Sequence, residues 1–275
     1  MNNKSIETYI VDSFTDEPFK GNPAGVCLLD YGIIDDLMLT MAKELNFSET
    51  AFITKLENNN SYSIRFFSPK MEIPLCGHAT LASSKVLFDK NPEIDELHFV
   101  TIHNLDLMVK RDGDDINMEF PVYETKPTEI PLKLIEALGI STTALTNSEY
   151  NDETKIILLE IDNSQTLSDL QPNFEALIHS HDAINGVLVT ALSNKNDYDF
   201  ESRYFWPWSG TNEDPVTGGT HTFLAKYWSK RLNKMKMRSF QCSDRTGSMT
   251  VELINDQKLN IQSTARIVFE GKLRV

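Results

Sequence analysis

Arg65-Phe66-Phe67-Ser68-Pro69, running on to Cys76-Gly77-His78-Ala79-Thr80-Leu81-Ala82, has a second version in the same chain. Arg203-Tyr204-Phe205-Trp206-Pro207 runs on to Gly218-Gly219-Thr220-His221-Thr222-Phe223-Leu224-Ala225, about half of the 275 residues further along. Each copy passes through a loop holding an acidic residue and a proline, then opens a glycine-rich helix. Chance similarity of two strand-to-helix junctions is the alternative, since five positions with three identities are weak alone. The matching context on both sides favours duplication, and so two similar halves.

Around the repeat, strand and helix patterns alternate without a strict period. Strands are expected at 6–14, 26–29, 48–54 and 62–67, then near 97–102, 105–111 and 116–120, with Asp112-Gly113-Asp114 as a hairpin turn. Leu37, Met38, Met41 and Leu45 recur at helical intervals over 35–45, and 77–88 has the small, apolar make-up of a buried helix. Pro121, Pro127 and Pro131 bracket a polar linker. The halves are therefore expected at 1–122 and 123–275, with the last strand, 264–275, crossing back to the first half. In the second half a helix over 132–138 stops at Gly139, strands are expected at 155–161 and 186–191, and a helix at 174–179 lies between them. The stretch 203–208 opens a loop, 218–232 forms a second buried helix, and 235–275 is mostly strand. Short strands around two apolar helices, without a regular βαβ rhythm, indicate an α+β fold.

The charge excludes some functions. Lysine and arginine number 26 against 40 acidic residues, giving −14 at neutral pH. A negative field argues against a nucleic-acid partner that depends on phosphate neutralisation. The one basic run, Lys226 with 230–238, has the pattern of a helix's wet face and the following turn. Cys27, Cys76 and Cys242 form no disulfide framework and no Cys-x-x-Cys pair. The first residues carry Glu7 and Asp12 where a signal peptide would be apolar, and no run of 18 apolar residues occurs. The expectation is a cytoplasmic protein with neither membrane nor nucleic-acid partner.

The repeated glycine turns are where chemistry is expected. A helix start presents unpaired N–H groups that hold anions, and glycine lets a ligand approach the backbone. Two such starts facing one cleft suit the grip of a carboxylate beside a carbon that loses a proton. Neither turn has the GxxxxGK[ST] or GxGxxG pattern of a nucleotide site. Glu49, His78 and Asp214 are the candidate acid–base groups. Singly, each has an ordinary structural reading: a solvated turn glutamate, a helix-start side chain, an Asx turn. Cys76 precedes a helix start, which lowers a thiol pKa, although a buried structural cysteine is commoner. The histidines at 98, 103, 179 and 181 lack further partners at ligand spacing, so no metal site is expected.

Four segments in order carry a family resemblance: Gly21-Asn22-Pro23-Ala24-Gly25-Val26, Asn46-Phe47-Ser48-Glu49-Thr50-Ala51-Phe52, Pro74-Leu75-Cys76-Gly77-His78-Ala79-Thr80 and Glu213-Asp214-Pro215-Val216-Thr217-Gly218. Together they resemble the PhzF family of phenazine-biosynthesis isomerases, which is similar in fold to diaminopimelate epimerase and proline racemase. The resemblance implies two pseudo-symmetric halves, each a curled, mostly antiparallel sheet around a central helix, with the site in the cleft between them. It implies a cofactor-free isomerase, a homodimer, acting on a small anionic metabolite. Glu49 would be the proton shuttle, His78 and Asp214 would position or polarise the substrate, and Asn22, Ser48, Gly77, Gly218 and Gly219 would line the site. Gly219 stands where the family usually has serine, and Gly25 where it usually has alanine. Asp214 stands where the related racemases have their second thiol, which disfavours a two-thiol mechanism. A one-thiol epimerase using Cys76, or a binding protein on the same fold, stays open at this point.

Overall fold

The computed structural model describes residues 5–57 and 60–275. In chain order the first elements are β1 (Ser5–Ser13), β2 (Asn22–Leu29), α1 (Asp35–Leu45), β3 (Thr50–Lys55), β4 (Ser61–Phe67), β5 (Glu72–Ile73), α2 (Gly77–Lys90), β6 (Glu96–Thr101), β7 (Asp106–Asp112) and β8 (Asp115–Pro121). Next come β9 (Lys126–Pro127), α3 (Leu132–Leu138), β10 (Leu145–Asn151), β11 (Ile156–Ile161), α4 (Ser164–Asp169), α5 (Phe174–Ile178), β12 (Gly186–Leu192), β13 (Phe200–Trp206) and β14 (Thr211–Asp214). The chain ends with α6 (His221–Leu232), β15 (Lys236–Gln241), β16 (Gly247–Leu253), β17 (Lys258–Ser263) and β18 (Ala265–Arg274). Two compact units result: one runs to Glu119 and takes in Ile261–Val275, the other is Phe120–Asn260.

Strand pairing shows what the sequence repeat encodes. In the first unit β1 is antiparallel to both β18 and β2, β2 is parallel to β3, and β3 is antiparallel to β4. β4 then pairs in parallel with β6 and antiparallel with the short β5, and β6, β7 and β8 form a meander. The second unit repeats this: β10 is antiparallel to β11, β11 parallel to β12, and β12 antiparallel to β13. β13 pairs in parallel with β15 and antiparallel with the short β14, and β15 pairs with β16. Each parallel step needs a crossover, and a helix supplies it every time.

α2 is buried from His78 through Ser84 and again at Val86, Leu87 and Phe88, so it has no amphipathic stripe. Its small residues let it lie close to β1, β2, β3 and β18. The hydroxyls of Thr80, Ser83 and Ser84 donate to carbonyls four residues back, at 2.7, 2.6 and 2.8 Å, so burying them leaves no polar group unsatisfied. α1 covers another part of the same unit, packing Met38, Met41 and Ala42 with Cys27, Leu29, Phe52 and Phe67. In the second unit Leu134 and Leu138 of α3, with Leu167 and Leu177, pack on Ile157, Leu159, Val187 and Val189.

The structure corrects several readings. The stretch expected to open a loop, 203–208, is instead the end of β13 and a 3-10 turn at Pro207–Ser209. β13 is buried on both faces until Trp206, so it lacks the alternation that marks a half-buried strand. The second buried helix starts at His221, three residues later than expected, after a turn through Gly218-Gly219-Thr220. The polar linker holds β9, paired with β10, whose polar sequence LTNSEYN concealed a strand. Among the described residues no helix is long and apolar enough to cross a membrane.

Gly21 offers a direct check of the turn between β1 and β2. Its φ is +65°, and a Cβ there would stand 2.1 Å from the Ser13 carbonyl oxygen. Gly21→Ala combines a left-handed backbone penalty with backbone overlap, together about 3 kcal/mol. Gly219→Ala is the control, because its Cβ would meet nothing within 4 Å. Urea unfolding should show a lowered midpoint for the first and an unchanged one for the second. Equal midpoints would refute the close approach at Ser13.

Candidate active site

The residues around Glu49 are placed by a helix end and a strand ladder. Asn46 closes α1 in the left-handed conformation, φ 55°, and its N–H returns to the Ala42 carbonyl at 2.9 Å. The chain then turns through Phe47 and Ser48, and Glu49 directly precedes β3. The Glu49 carbonyl accepts from the Gly25 N–H at 3.2 Å, which extends the β2–β3 ladder by one bond and fixes the Glu49 backbone. Glycine fits at 25 because a Cβ would lie 2.9 Å from Thr50 Oγ1 and 3.2 Å from Leu45 Cδ1.

His78 arrives from the start of α2. Cys76 is the N-cap residue, with extended backbone angles of −144° and 116°, and Gly77 is the first helical residue. Ser13 Oγ donates to the His78 carbonyl at 2.7 Å, tying the first turn of α2 to β1. Asn22, fully buried, opens β2 opposite that same Ser13.

These placements gather three side chains, Glu49, Ser48 and Cys76, around the ring of His78. His78 Nε2 lies 3.3 Å from Glu49 Oε2 and 3.5 Å from Ser48 Oγ, while His78 Nδ1 lies 3.3 Å from Cys76 Sγ. His78 and Glu49 are 8% and 9% exposed, so the contact is shielded from water and weakly screened. Burial draws His78 below the usual histidine range, with Glu49 pulling the other way. A neutral ring has one donor and one acceptor. A carboxylate only accepts, which assigns the proton to Nε2, while Cys76 Sγ, 3.3 Å from Nδ1 and 3.9 Å from Nε2, lies beside the ring and off the Nδ1 lone-pair axis. Glu49, Cys76 and His78 present donor atoms within 4.8 Å of one another.

The other expected residues gather at the matching junction of the second unit. Asp214 ends β14 opposite Tyr204 and is 7% exposed. Its carboxylate accepts from Thr217 Oγ1, and its carbonyl accepts from Gln241 Nε2 at 2.6 Å and Ser243 Oγ at 3.3 Å. That turn delivers Gly218 and Gly219 to α6. His221 beyond them is fully buried between the Thr217 carbonyl at 3.0 Å and Ser239 Oγ at 2.8 Å, and burial pushes its pKa down to about 4. It is a neutral packing residue.

Two features escaped the sequence reading. One is the contact of Cys76 with His78. The other is a pair of arginine forks that the repeat already contained. Arg65 Nε and Nη2 reach the two Glu72 oxygens at 2.7 Å each, and Arg203 holds Glu213 in the same way at 2.8 and 2.7 Å. Each fork fixes the short strand, β5 or β14, that feeds a glycine turn. The signal available was a glutamate following each repeated arginine just before the turn.

A family model described as phenazine biosynthesis-like protein, PhzC-PhzF, matches residues 11–271. A phenazine biosynthesis-like domain-containing protein of Bos taurus is 38% identical, over 98% of this chain and 99% of its own. An uncharacterized isomerase of Pseudomonas aeruginosa is 37% identical, over 98% of this chain and 99% of its own. The crystal structure of a PhzF-family phenazine biosynthesis protein from Enterococcus faecalis superposes with a TM-score of 0.91 at 34% identity, covering 99% of this chain and 100% of that one.

Proposed function

The chain belongs to the PhzF, phenazine biosynthesis-like family, and on that premise we propose that it is a cofactor-independent isomerase, working as a homodimer, that moves a proton within a small carboxylate-bearing molecule of the cyclic amino- or hydroxy-acid kind. The observation that carries this reading is the buried contact of Glu49 with a neutral His78, 3.3 Å apart beside a helix start. Glu49 takes a proton from a carbon made acidic by a neighbouring carboxyl or by conjugation, and returns it elsewhere on the same molecule. His78 holds the carboxylate in place through Nε2–H. The N–H groups that open α2 at Gly77 stabilise the charge that develops on the substrate. Ser48 and Asn22 orient the substrate. With a net charge of −14, a small acid is attracted by these local donors and not by the overall field.

A metabolite extract incubated in heavy water with the wild-type protein tests the reading. Mass spectrometry should find a small acid that gains carbon-bound deuterium or converts to an isomer, and Glu49→Gln should leave that acid unchanged. Equal conversion by both proteins would exclude Glu49 as the shuttle.

A further inference from the structure

We propose that Tyr204 is a ligand-binding residue of the second unit: its phenol, held over Gly186 and opposite Asp214, reads the hydroxyl of a small hydroxy acid. That the ligand is an acid rests on the isomerase reading; that this junction faces a ligand rests on the two repeats. Aligning Arg65 with Arg203 matches Phe67 to Phe205, and so their ladder partners Thr50 and Val187. One residue earlier, Glu49 corresponds to Gly186. Counting on from the fork glutamates Glu72 and Glu213, Cys76 corresponds to Thr217 and His78 to Gly219. The second unit therefore lacks all three ionisable groups that meet in the first.

Polar groups enter the second unit at two other positions. Phe66, opposite Ile73, corresponds to Tyr204, opposite Asp214. Residues opposed in an antiparallel pair share a face, about 5 Å apart at Cβ, so phenol and carboxylate leave the sheet side by side. The exchange is physically linked to the glycine. A Cβ at Gly186 would stand 2.6 Å from Tyr204 Cε2 and 2.7 Å from its hydroxyl oxygen, so the phenol fills the space that a side chain at the Glu49 counterpart would take. At Gly219, in the turn after Asp214, a Cβ would meet nothing within 4 Å, so the place of the His78 counterpart is open.

Tyr204 is 5% exposed, and its ring stacks on Trp206 with centroids 5.8 Å apart. Among the described residues its hydroxyl makes no hydrogen bond, although a buried phenol usually finds a partner. Burial, with the Asp214 charge adding to it, pushes the phenol above its ordinary value, so it keeps its proton and donates. A carboxylate accepts about four hydrogen bonds, so Asp214 can serve Thr217 and a ligand together. A hydroxyl suits both groups, accepting from the phenol while donating to the carboxylate. An ammonium group only donates, and leaves the phenol proton without an acceptor.

Dissociation constants measured by ligand-observed NMR, without turnover, test the proposal. The probes are the 2-, 3- and 4-hydroxycyclohexanecarboxylates, each compared with cyclohexanecarboxylate and with the corresponding aminocyclohexanecarboxylate. At least one hydroxy acid should bind the wild-type protein about tenfold more tightly than its parent and its amino counterpart. Tyr204→Phe keeps the ring and removes only the hydroxyl. It should lower that preference at least about threefold while leaving the affinity for cyclohexanecarboxylate unchanged. A tyrosine with a purely structural role would not move the ratio between two ligands. The proposal is overturned by wild-type protein that binds none of these acids or prefers no hydroxy acid, and equally by a preference that Tyr204→Phe leaves unchanged. Those outcomes leave the isomerase reading standing, because it depends on deuterium gain and on Glu49. Absence of deuterium gain, in turn, would remove that reading while the binding preference is still measured.

Discussion

Glutamine at position 49 is expected to lower kcat about 10³-fold on the acid that the wild-type chain isomerises, with KM within about threefold of wild type. Removing a positioned general acid–base typically costs 10²- to 10⁴-fold, and 10³-fold is about 4 kcal/mol of transition-state stabilisation. The substitution is nearly isosteric. Its amide oxygen can still accept from His78 Nε2, and the Glu49 carbonyl keeps its bond from the Gly25 N–H, because that bond is made by the backbone. What disappears is the capacity to hold a proton. A loss confined to kcat therefore marks an interaction that matters in the transition state, whereas a rise in KM alone would mark a binding residue. Thermal unfolding gives the control: the Tm of Glu49→Gln should match or exceed that of wild type, since a nearly buried charge is replaced by a neutral group. Full kcat with an unchanged Tm would remove Glu49 from the chemistry.

Much of this site was legible in the sequence, and the reason is local. Ser48 and Glu49 follow a helix end marked by Asn46, while Gly77 and His78 follow a helix start marked by a glycine. Caps and glycines leave signatures within a few residues, so short motifs place such groups reliably. The helix over 35–45 and the short helix ending at Gly139 were legible for the same reason. The contact between Cys76 and His78 was not, because it depends on the extended backbone of an N-cap residue folding its thiol back onto a ring two positions later. β5 and β14 hold two and four residues, too few for any periodicity to register. The arginine forks depend on the antiparallel pairing of those same short strands, so the partner of each arginine became visible only with the register in place.

The forks yield the largest expected effect on stability. Arg203→Met is expected to destabilise the protein by about 3–5 kcal/mol, whereas Arg65→Met should cost roughly 1–2 kcal/mol, although the two residues occupy the same place in the repeat. The difference lies in burial and in the third nitrogen. The side chains of Arg203 and Glu213 are 7% and 16% exposed, and Arg203 Nη1 also donates to the carbonyls of Leu167, Ser168 and Leu170 at 3.3, 3.3 and 2.8 Å. Those carbonyls belong to the end of α4, where the Leu170 N–H reaches only the Leu167 carbonyl, at 3.4 Å. Methionine leaves a partly buried carboxylate and the carbonyls of Ser168 and Leu170 without the Arg203 donor, while Leu167 keeps the Leu170 N–H. Arg65 spends Nη1 on Asp35, whose side chain is 70% exposed, so water replaces that partner readily. At about 2–4 °C per kcal/mol for a chain of this size, the Arg203 variant should melt roughly 10 °C below wild type, and the Arg65 variant a few degrees below. The double variant Arg203→Met, Glu213→Gln removes the stranded charge and should recover part of the loss. Equal shifts for the two single arginine variants would show that burial does not set the strength of the forks. No recovery in the double variant would show that the carbonyls of α4, and not Glu213, are what Arg203 serves.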